Sequence, residues 1–328
     1  MATWFYRSNV CGIGFLMRIV YNLNELTEPL NNPVLTIGNF DGVHKGHLAL
    51  FDKVIERAKA ISGQSVVMTF DPHPIKVMSP GNGPPLITPI GQKLELISNA
   101  GIDVIICLAF TREFASMSAE DFVRDILMDG LGVREIVVGY DYTFGNMRQG
   151  DVSLLREMGD KLGFRVHVTG PIHLDDAVVS STSIRKFVQQ GNLVDAKRFL
   201  GRDYEICGTV GKGKGRGGKL LGFPTANLQP VDELIPMRGV YAVTVRVDDK
   251  HYCGVTNIGY NPTFGDDALS VETHLLDFSE NIVGKMIKVK FIQRLRDEKT
   301  FSNVKELSDQ IAQDVEQARK LIQNLKKD

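Results

Sequence analysis

A ten-residue stretch joining a strand to a helix constrains this chain more than any other. Gly38-Asn39-Phe40-Asp41-Gly42-Val43-His44-Lys45-Gly46-His47 follows the apolar run 33–37 and precedes residues 48–58, whose apolar positions recur at helical spacing. Such a turn offers unpaired N–H groups of the first helical turn and the positive end of a dipole, which together favour phosphate. With a helix start near His44, the two histidines share one face. Imidazoles beside a polyphosphate can donate hydrogen bonds to oxygens on which charge builds during displacement at phosphorus. The residues alone also fit a Gly-rich turn with two exposed histidines. A zinc site fits less well, because the Glu of His-Glu-x-x-His and a nearby third ligand are missing.

The whole chain sets bounds. Its 328 residues suit roughly two domains. A net charge of −1 gives no global basic field for nucleic acid, and no run approaches a membrane-spanning length. Cys11, Cys107, Cys207 and Cys253 form no Cys-x-x-Cys pair and suit buried thiols in a reducing compartment. Residues 10–17 are apolar and follow Arg7, a faint likeness to a signal peptide, but the run is short and no small-residue cleavage site follows. The expectation is a cytoplasmic protein with residues 1–16 as a loose leader and Met17 as a candidate start.

Through the first half, strand patterns at 64–70, 102–108, 135–139 and 164–168 alternate with helical patterns at 91–100 and 119–128. This order predicts an open parallel sheet with helices on both faces, and ligands beyond the carboxyl ends of its strands. Three segments fall at such ends: the decapeptide, the turn Asp71-Pro72-His73-Pro74, and the loop Tyr140-Asp141-Tyr142-Thr143-Phe144-Gly145. Ser180-Ser181-Thr182-Ser183 then opens a helix with Arg185 one turn in, a pattern that suits phosphates and equally an ordinary capped helix.

Taken in order, Gly-x-Phe-Asp-Gly-Val-His-x-Gly-His, Phe-x-Pro-His-Pro, Gly-x-Asp-x-x-Phe-Gly and Ser-Ser-Thr-x-x-Arg resemble the adenylyltransferase module of bacterial FAD synthetases. The resemblance implies a Rossmann-like nucleotidyltransferase domain over 17–186, in which His44, His47 and Arg185 assist attack of FMN phosphate on the α-phosphate of ATP. It assigns Gly38, Asn39, Phe40, Asp41, Gly42, Ser181 and Thr182 to ATP, and Pro72, Asp141 and Phe144 to the flavin.

Residues 187–203 read as a connector of two short helices. Beyond it the pattern changes to consecutive strands at 204–210, 240–247, 251–256, 270–277 and 286–291, closed by an amphipathic helix at 302–325. Strands without intervening helices suggest an antiparallel barrel or sandwich. The basic loop 211–222 contains Gly-x-x-x-x-Gly-Lys at 213–219, but Leu220 stands where a P-loop needs Ser or Thr, and Pro224 forbids the following helix. A flap over phosphates, a solvated loop and an RNA contact all fit it. Thr225 and Asn227 alternate, so on an extended segment they offer two oxygens to a hard cation; a turn fits them as well. Glu272 lies in an alternating strand, as an exposed charge or a general base.

The segments 222–227, 257–264, 271–277 and 294–298 resemble riboflavin kinase. That likeness implies a six-stranded antiparallel barrel over 204–328, with Glu272 as base for the riboflavin 5′-hydroxyl and Mg2+ on Thr225 and Asn227. Gly213, Gly218, Lys219, Pro224, Thr225, Asn227 and Arg296 would surround ATP and flavin. Two positions depart from the family pattern: Lys219 replaces the usual Arg, losing a planar fork, and Val283 occupies the place of a Tyr. Together the two resemblances imply a bifunctional enzyme that phosphorylates riboflavin to FMN and adenylylates FMN to FAD. ATP would be co-substrate and Mg2+ the cofactor, with no tightly bound prosthetic group. Its partners would be riboflavin, FMN, FAD and ATP, without nucleic acid or membrane, self-association being left open.

Overall fold

The computed structural model describes residues 5–7, 16–212, 225–230, 233–261 and 266–325. By its contacts the chain forms two compact units. The first comprises Met1–Pro84 and Ile90–Ser180, the second Pro85–Pro89 and Ser181–Asp328.

The first unit is built on β1 (Phe5–Arg7), β2 (Leu16–Val20), β3 (Val34–Ile37), α1 (Lys45–Ala60), β4 (Ser65–Asp71), α2 (Pro74–Met78), α3 (Ile90–Asn99) and β5 (Val104–Ala109). Then come α4 (Arg112–Ala115), α5 (Ala119–Asp121) running on as π-helical turns over Phe122–Gly130, β6 (Glu135–Gly139), α6 (Val152–Leu162) and β7 (Arg165–Thr169). A small hairpin, β8 (His173–Leu174) with β9 (Ala177–Val178), ends it. The sheet order is β1-β2-β5-β4-β3-β6-β7, parallel except for β1, which pairs antiparallel with β2.

Alternation along the strands splits the core in two. Val34, Val67 and Ile105 pack with Phe51, Val54, Leu94 and Ile97 on the α1–α3 face. Leu35, Ile37, Met68 and Ile106 pack with Phe122, Leu127, Leu155 and Met158 on the other. Helices thus cover both faces, as the alternating pattern predicts. Chain order runs outward from β3 in both directions, through β4 and β5 one way and β6 and β7 the other. The crevice above β3 and β6 is therefore the topological switch point, where open sheets of this kind bind ligands. At the opposite, amino ends of these strands, buried Glu135 accepts two hydrogen bonds from Arg57, at 2.7 and 2.8 Å, and lies 2.8 Å from His167 Nε2.

The second unit begins with α7 (Ser181–Gln189) and α8 (Leu193–Leu200). Six antiparallel strands follow: β10 (Glu205–Gly211), β11 (Ala226–Pro230), β12 (Gly239–Val247), β13 (Lys250–Asn261), β14 (Asp266–Leu275) and β15 (Met286–Arg296). They close into a barrel in the order β10-β11-β14-β13-β12-β15, β15 returning to β10, which removes free sheet edges. Helix α9 (Val304–Leu325) lays Val315, Ala318 and Leu321 over Val240, Ala242 and Val255.

Candidate active sites

In the first unit β3 ends at Ile37, and the chain turns through left-handed conformations at Phe40 (φ 48°), Gly42 (φ 89°) and Val43 (φ 39°) before α1 starts. The Phe40 ring folds back over Gly38, where a Cβ would stand 2.9 Å from ring carbons. It packs edge-on against His47 and Phe51, with centroids 5.2 and 5.0 Å away. Phe40, Asp41 and His44 are buried.

The histidines form a reciprocal cap. His44 is the N-cap of α1; its Nδ1 accepts from the His47 N–H at 3.3 Å, while His47 Nδ1 accepts from the His44 N–H at 3.4 Å. The rings stack with centroids 3.5 Å apart and planes 19° from parallel. A ring whose Nδ1 accepts carries its neutral-form proton on Nε2, so the backbone fixes both imidazoles as Nε2 donors. Gly46 makes room for this arrangement, since a Cβ there would meet the His44 ring at 3.1 Å.

The neighbouring loops converge on the same end of the sheet. After β4 the Asp71–Pro72 peptide is cis, and His73 caps α2 by accepting from the Ile75 N–H at 3.2 Å. After β6, Asp141 is exposed whereas Phe144 is buried, its ring stacked on Tyr142 at 5.5 Å and tilted against Phe122 at 5.8 Å. Phe144 therefore anchors its loop in the core. One participant escaped sequence reasoning: Lys93 of α3, buried beneath the turn, donates to the Asn39 carbonyl, Thr69 Oγ1 and the Phe70 carbonyl at 3.1, 3.0 and 3.1 Å. Burial holds its pKa below the usual lysine value. A lysine in a helical pattern reads as a solvated face, and its partners lie far away in sequence.

Ser181, Thr182 and Arg185 open α7, which belongs by contacts to the second unit. There Arg185 Nε donates to the Pro85 carbonyl at 3.0 Å.

In the barrel, strand register does what sequence spacing could not. Asn227 of β11 lies opposite Glu272 of β14, and Glu272 lies opposite Asn257 of β13. Directly paired residues share a face with side chains about 5 Å apart, so the three polar groups form one row across three strands. The flanking rows, Ala226-Thr273-Thr256 and Leu228-Val271-Ile258, are buried and point the other way, into the barrel. The Asn-Glu-Asn row is thus outward-facing and half-buried. Thr225 immediately precedes β11 and is exposed. Asn257 is the member that sequence reasoning quoted within a motif without giving it a role.

Arg296 ends β15, which pairs with β10 and β12 rather than with the strands of this row. Its guanidinium makes three hydrogen bonds of 2.7–3.1 Å to buried Asp314 of α9, and its Nη1 donates to the Asp297 carbonyl at 2.9 Å. That clasp ties the terminal helix to the barrel. Gly213, Gly218, Lys219 and Pro224 lie outside the described residues. Among the described residues no cluster of three His, Cys, Asp or Glu side chains could hold a metal ion. None of the helices there is long and apolar enough to cross a membrane.

Comparison with known proteins agrees with this division. The FAD synthetase family model matches residues 26–183 and the riboflavin kinase model residues 200–322. A bifunctional riboflavin kinase/FMN adenylyltransferase of Pseudomonas fluorescens is 38% identical over 306 residues, 93% of this chain and 98% of that protein. The protein of that name from Escherichia coli (strain K12) is 36% identical over 305 residues, 93% of this chain and 96% of its own. A crystal structure from Streptococcus pneumoniae, titled a macrolide-efflux protein, superposes with a TM-score of 0.82 at 30% identity, covering 92% of this chain and 98% of that one.

Proposed function

We infer that this chain, which belongs to the bifunctional riboflavin kinase/FMN adenylyltransferase family, makes FAD in two steps: ATP and riboflavin give FMN and ADP, then ATP and FMN give FAD and pyrophosphate. The observation that carries the residue-level reading is the pair of preset arrangements, the reciprocal histidine cap at the switch point and the Asn-Glu-Asn row on the barrel.

For the kinase step, Glu272 accepts the proton of the riboflavin 5′-hydroxyl as its oxygen attacks the γ-phosphate of ATP and ADP departs. Thr225 and Asn227 carry a hydroxyl and an amide oxygen, hard donors that would suit Mg2+. Bound there, Mg2+ would offset charge on the transferring phosphates. In this reading Gly213, Gly218, Lys219 and Pro224, with Arg296, carry the ATP and flavin roles that the likeness to riboflavin kinase implies.

For the second step, an oxygen of the FMN phosphate attacks the α-phosphorus of ATP and the bond to the β-phosphate breaks. The Nε2–H groups of His44 and His47 donate to oxygens that gain charge, and the first turn of α1 adds backbone N–H groups. Gly38 to Gly42 serve ATP, and Pro72, Asp141 and Phe144 shape the flavin side; for Ser181, Thr182 and Arg185 the likeness of Ser-Ser-Thr-x-x-Arg to the family motif supports a role toward ATP. Neither step needs a covalent enzyme intermediate, since each substrate brings its own nucleophile. We place the enzyme in the cytoplasm, where the free thiols Cys107, Cys207 and Cys253 suit a reducing milieu.

The test is incubation of the purified chain with riboflavin, ATP and Mg2+, with FMN, FAD, ADP and pyrophosphate each quantified. All four should accumulate; absence of ADP with riboflavin, or of pyrophosphate with supplied FMN, removes the corresponding half of the proposal.

A further inference from the structure

Lys93 is 5% exposed and sits within the core packing of α3, beside Leu94 and Ile97. An ammonium in such a place costs free energy unless every donor is used, and here three acceptors meet it: the Asn39 carbonyl, Thr69 Oγ1 and the Phe70 carbonyl. Thr69 Oγ1 itself donates to the Asn39 carbonyl at 3.2 Å. The carboxylates that bear on the ammonium are those of Asp41 and Asp71.

The location of those acceptors gives the lysine its meaning. Asn39 is the second residue of the turn that follows β3, and Phe70 stands two residues before Pro72 at the end of β4. β3 and β4 are adjacent parallel strands whose ladder stops at Ile37 opposite Met68, with one further bond from the Gly38 N–H to the Met68 carbonyl. Beyond that point no ladder bond joins the two segments among the described residues; the Thr69 Oγ1 bond to the Asn39 carbonyl and the Lys93 ammonium bridge them instead. A nonpolar side chain of equal length would fill the same volume without the bridge.

We propose that Lys93 is a positioning residue for adenylyl transfer, locking the nucleotide turn after β3 to the carboxyl end of β4, from which the flavin-side turn departs, so that the α-phosphate of ATP and the attacking FMN phosphate meet in line. This rests on the reading of the first unit as the adenylyltransferase. A brace between one binding turn and the strand end that carries the other acts on the relative placement of the reactants more than on how tightly either is held. Misplacement by about 1 Å costs on the order of 100-fold in rate, so the effect belongs in kcat rather than KM.

The experiment uses the full chain carrying Lys93→Met, with kcat and KM for ATP and FMN measured in FAD formation. Riboflavin phosphorylation by the same preparation reports on folding of the second unit, and circular dichroism on the whole. The expected result is a fall in kcat of about 100-fold, KM values within about threefold of wild type, and an unchanged kinase rate. Thr69→Val removes one acceptor of the ammonium together with the Thr69–Asn39 bond and keeps the ammonium itself; it should lower kcat about tenfold with the same KM pattern. A kcat within about threefold of wild type in folded Lys93→Met overturns the proposal, as does a loss carried by KM alone. If Lys93→Met does not fold, an unchanged kcat in Thr69→Val overturns it and a reduced one supports it. Failure of the wild-type chain to adenylylate FMN defeats the parent reading and the proposal with it, whereas normal wild-type turnover with indifferent variants defeats the proposal alone.

Discussion

Replacing Glu233 by Gln should change how the second unit responds to pH. The Glu233 side chain is 7% exposed; one carboxyl oxygen accepts from the Cys207 N–H at 2.6 Å, and the other has no hydrogen-bond partner among the described residues. Burial pushes its pKa up from 4.5 to about 8, the Cys207 N–H opposing the rise and the Glu205 carboxylate adding to it. Between those two values the folded chain binds a proton that the unfolded chain has released. The sign follows: stability of this unit is greatest below the unfolded value and declines as pH rises toward about 8, at about 1.4 kcal/mol per pH unit. From pH 5.5 to 7.5 the loss from this one group is about 3 kcal/mol. Gln cannot titrate, so the difference between wild type and Glu233→Gln should shift by that amount over the window, in favour of the variant at higher pH. Pulsed hydrogen exchange across a urea series, read on peptides from β10–β15, measures the barrel by itself. A difference constant within about 0.5 kcal/mol over the window would refute the reasoning.

Two further outcomes follow from the geometry of the first unit. Gly46→Ala puts a methyl 3.1 Å from the His44 ring, tilting it off His47; FAD formation from FMN should fall at least tenfold while riboflavin phosphorylation stays constant. Glu135→Gln removes the negative charge and one of the two oxygens that accept from Arg57 and should cost the first unit roughly 2–3 kcal/mol at pH 7. Arg57 and then His167 hold the Glu135 carboxyl below its usual pKa, so wild-type stability should be lost as pH falls through about 4.3 toward the depressed value. The variant should lack that loss in acid-unfolding profiles followed by circular dichroism.

Legibility of the chain tracked how local each feature is. The strand-turn-helix around the histidines was readable because a Gly-rich break, an apolar run and a helical period adjoin one another, and α1 begins where expected, capped by His44. The alternation of strands and helices similarly foretold a parallel sheet with two covered faces, and unbroken strand patterns foretold an antiparallel barrel or sandwich, the resemblance to riboflavin kinase favouring the barrel. β11 was not read as a strand, since Ala226–Pro230 is short and follows a Gly- and Pro-rich stretch whose residues also suit a turn. α6 went unread despite an Asp151 cap and Gly163 in the left-handed conformation at its end. Lys93, the clasp between Arg296 and Asp314 and the core packing of Phe144 join residues that no periodicity connects. The Asn227-Glu272-Asn257 row needed strand register, which depends on pairing across the barrel rather than on any one segment.

The central claim is that two separate sites on one chain make FMN and then FAD. Glu272→Ala and His47→Ala test it most directly when assayed side by side and then mixed, with riboflavin, FMN and FAD resolved by chromatography. Glu272→Ala should convert supplied FMN to FAD yet leave riboflavin untouched, His47→Ala should stop at FMN, and the mixture should carry riboflavin through to FAD. Loss of both steps in either folded variant, or undiminished FAD synthesis by His47→Ala, would contradict the account.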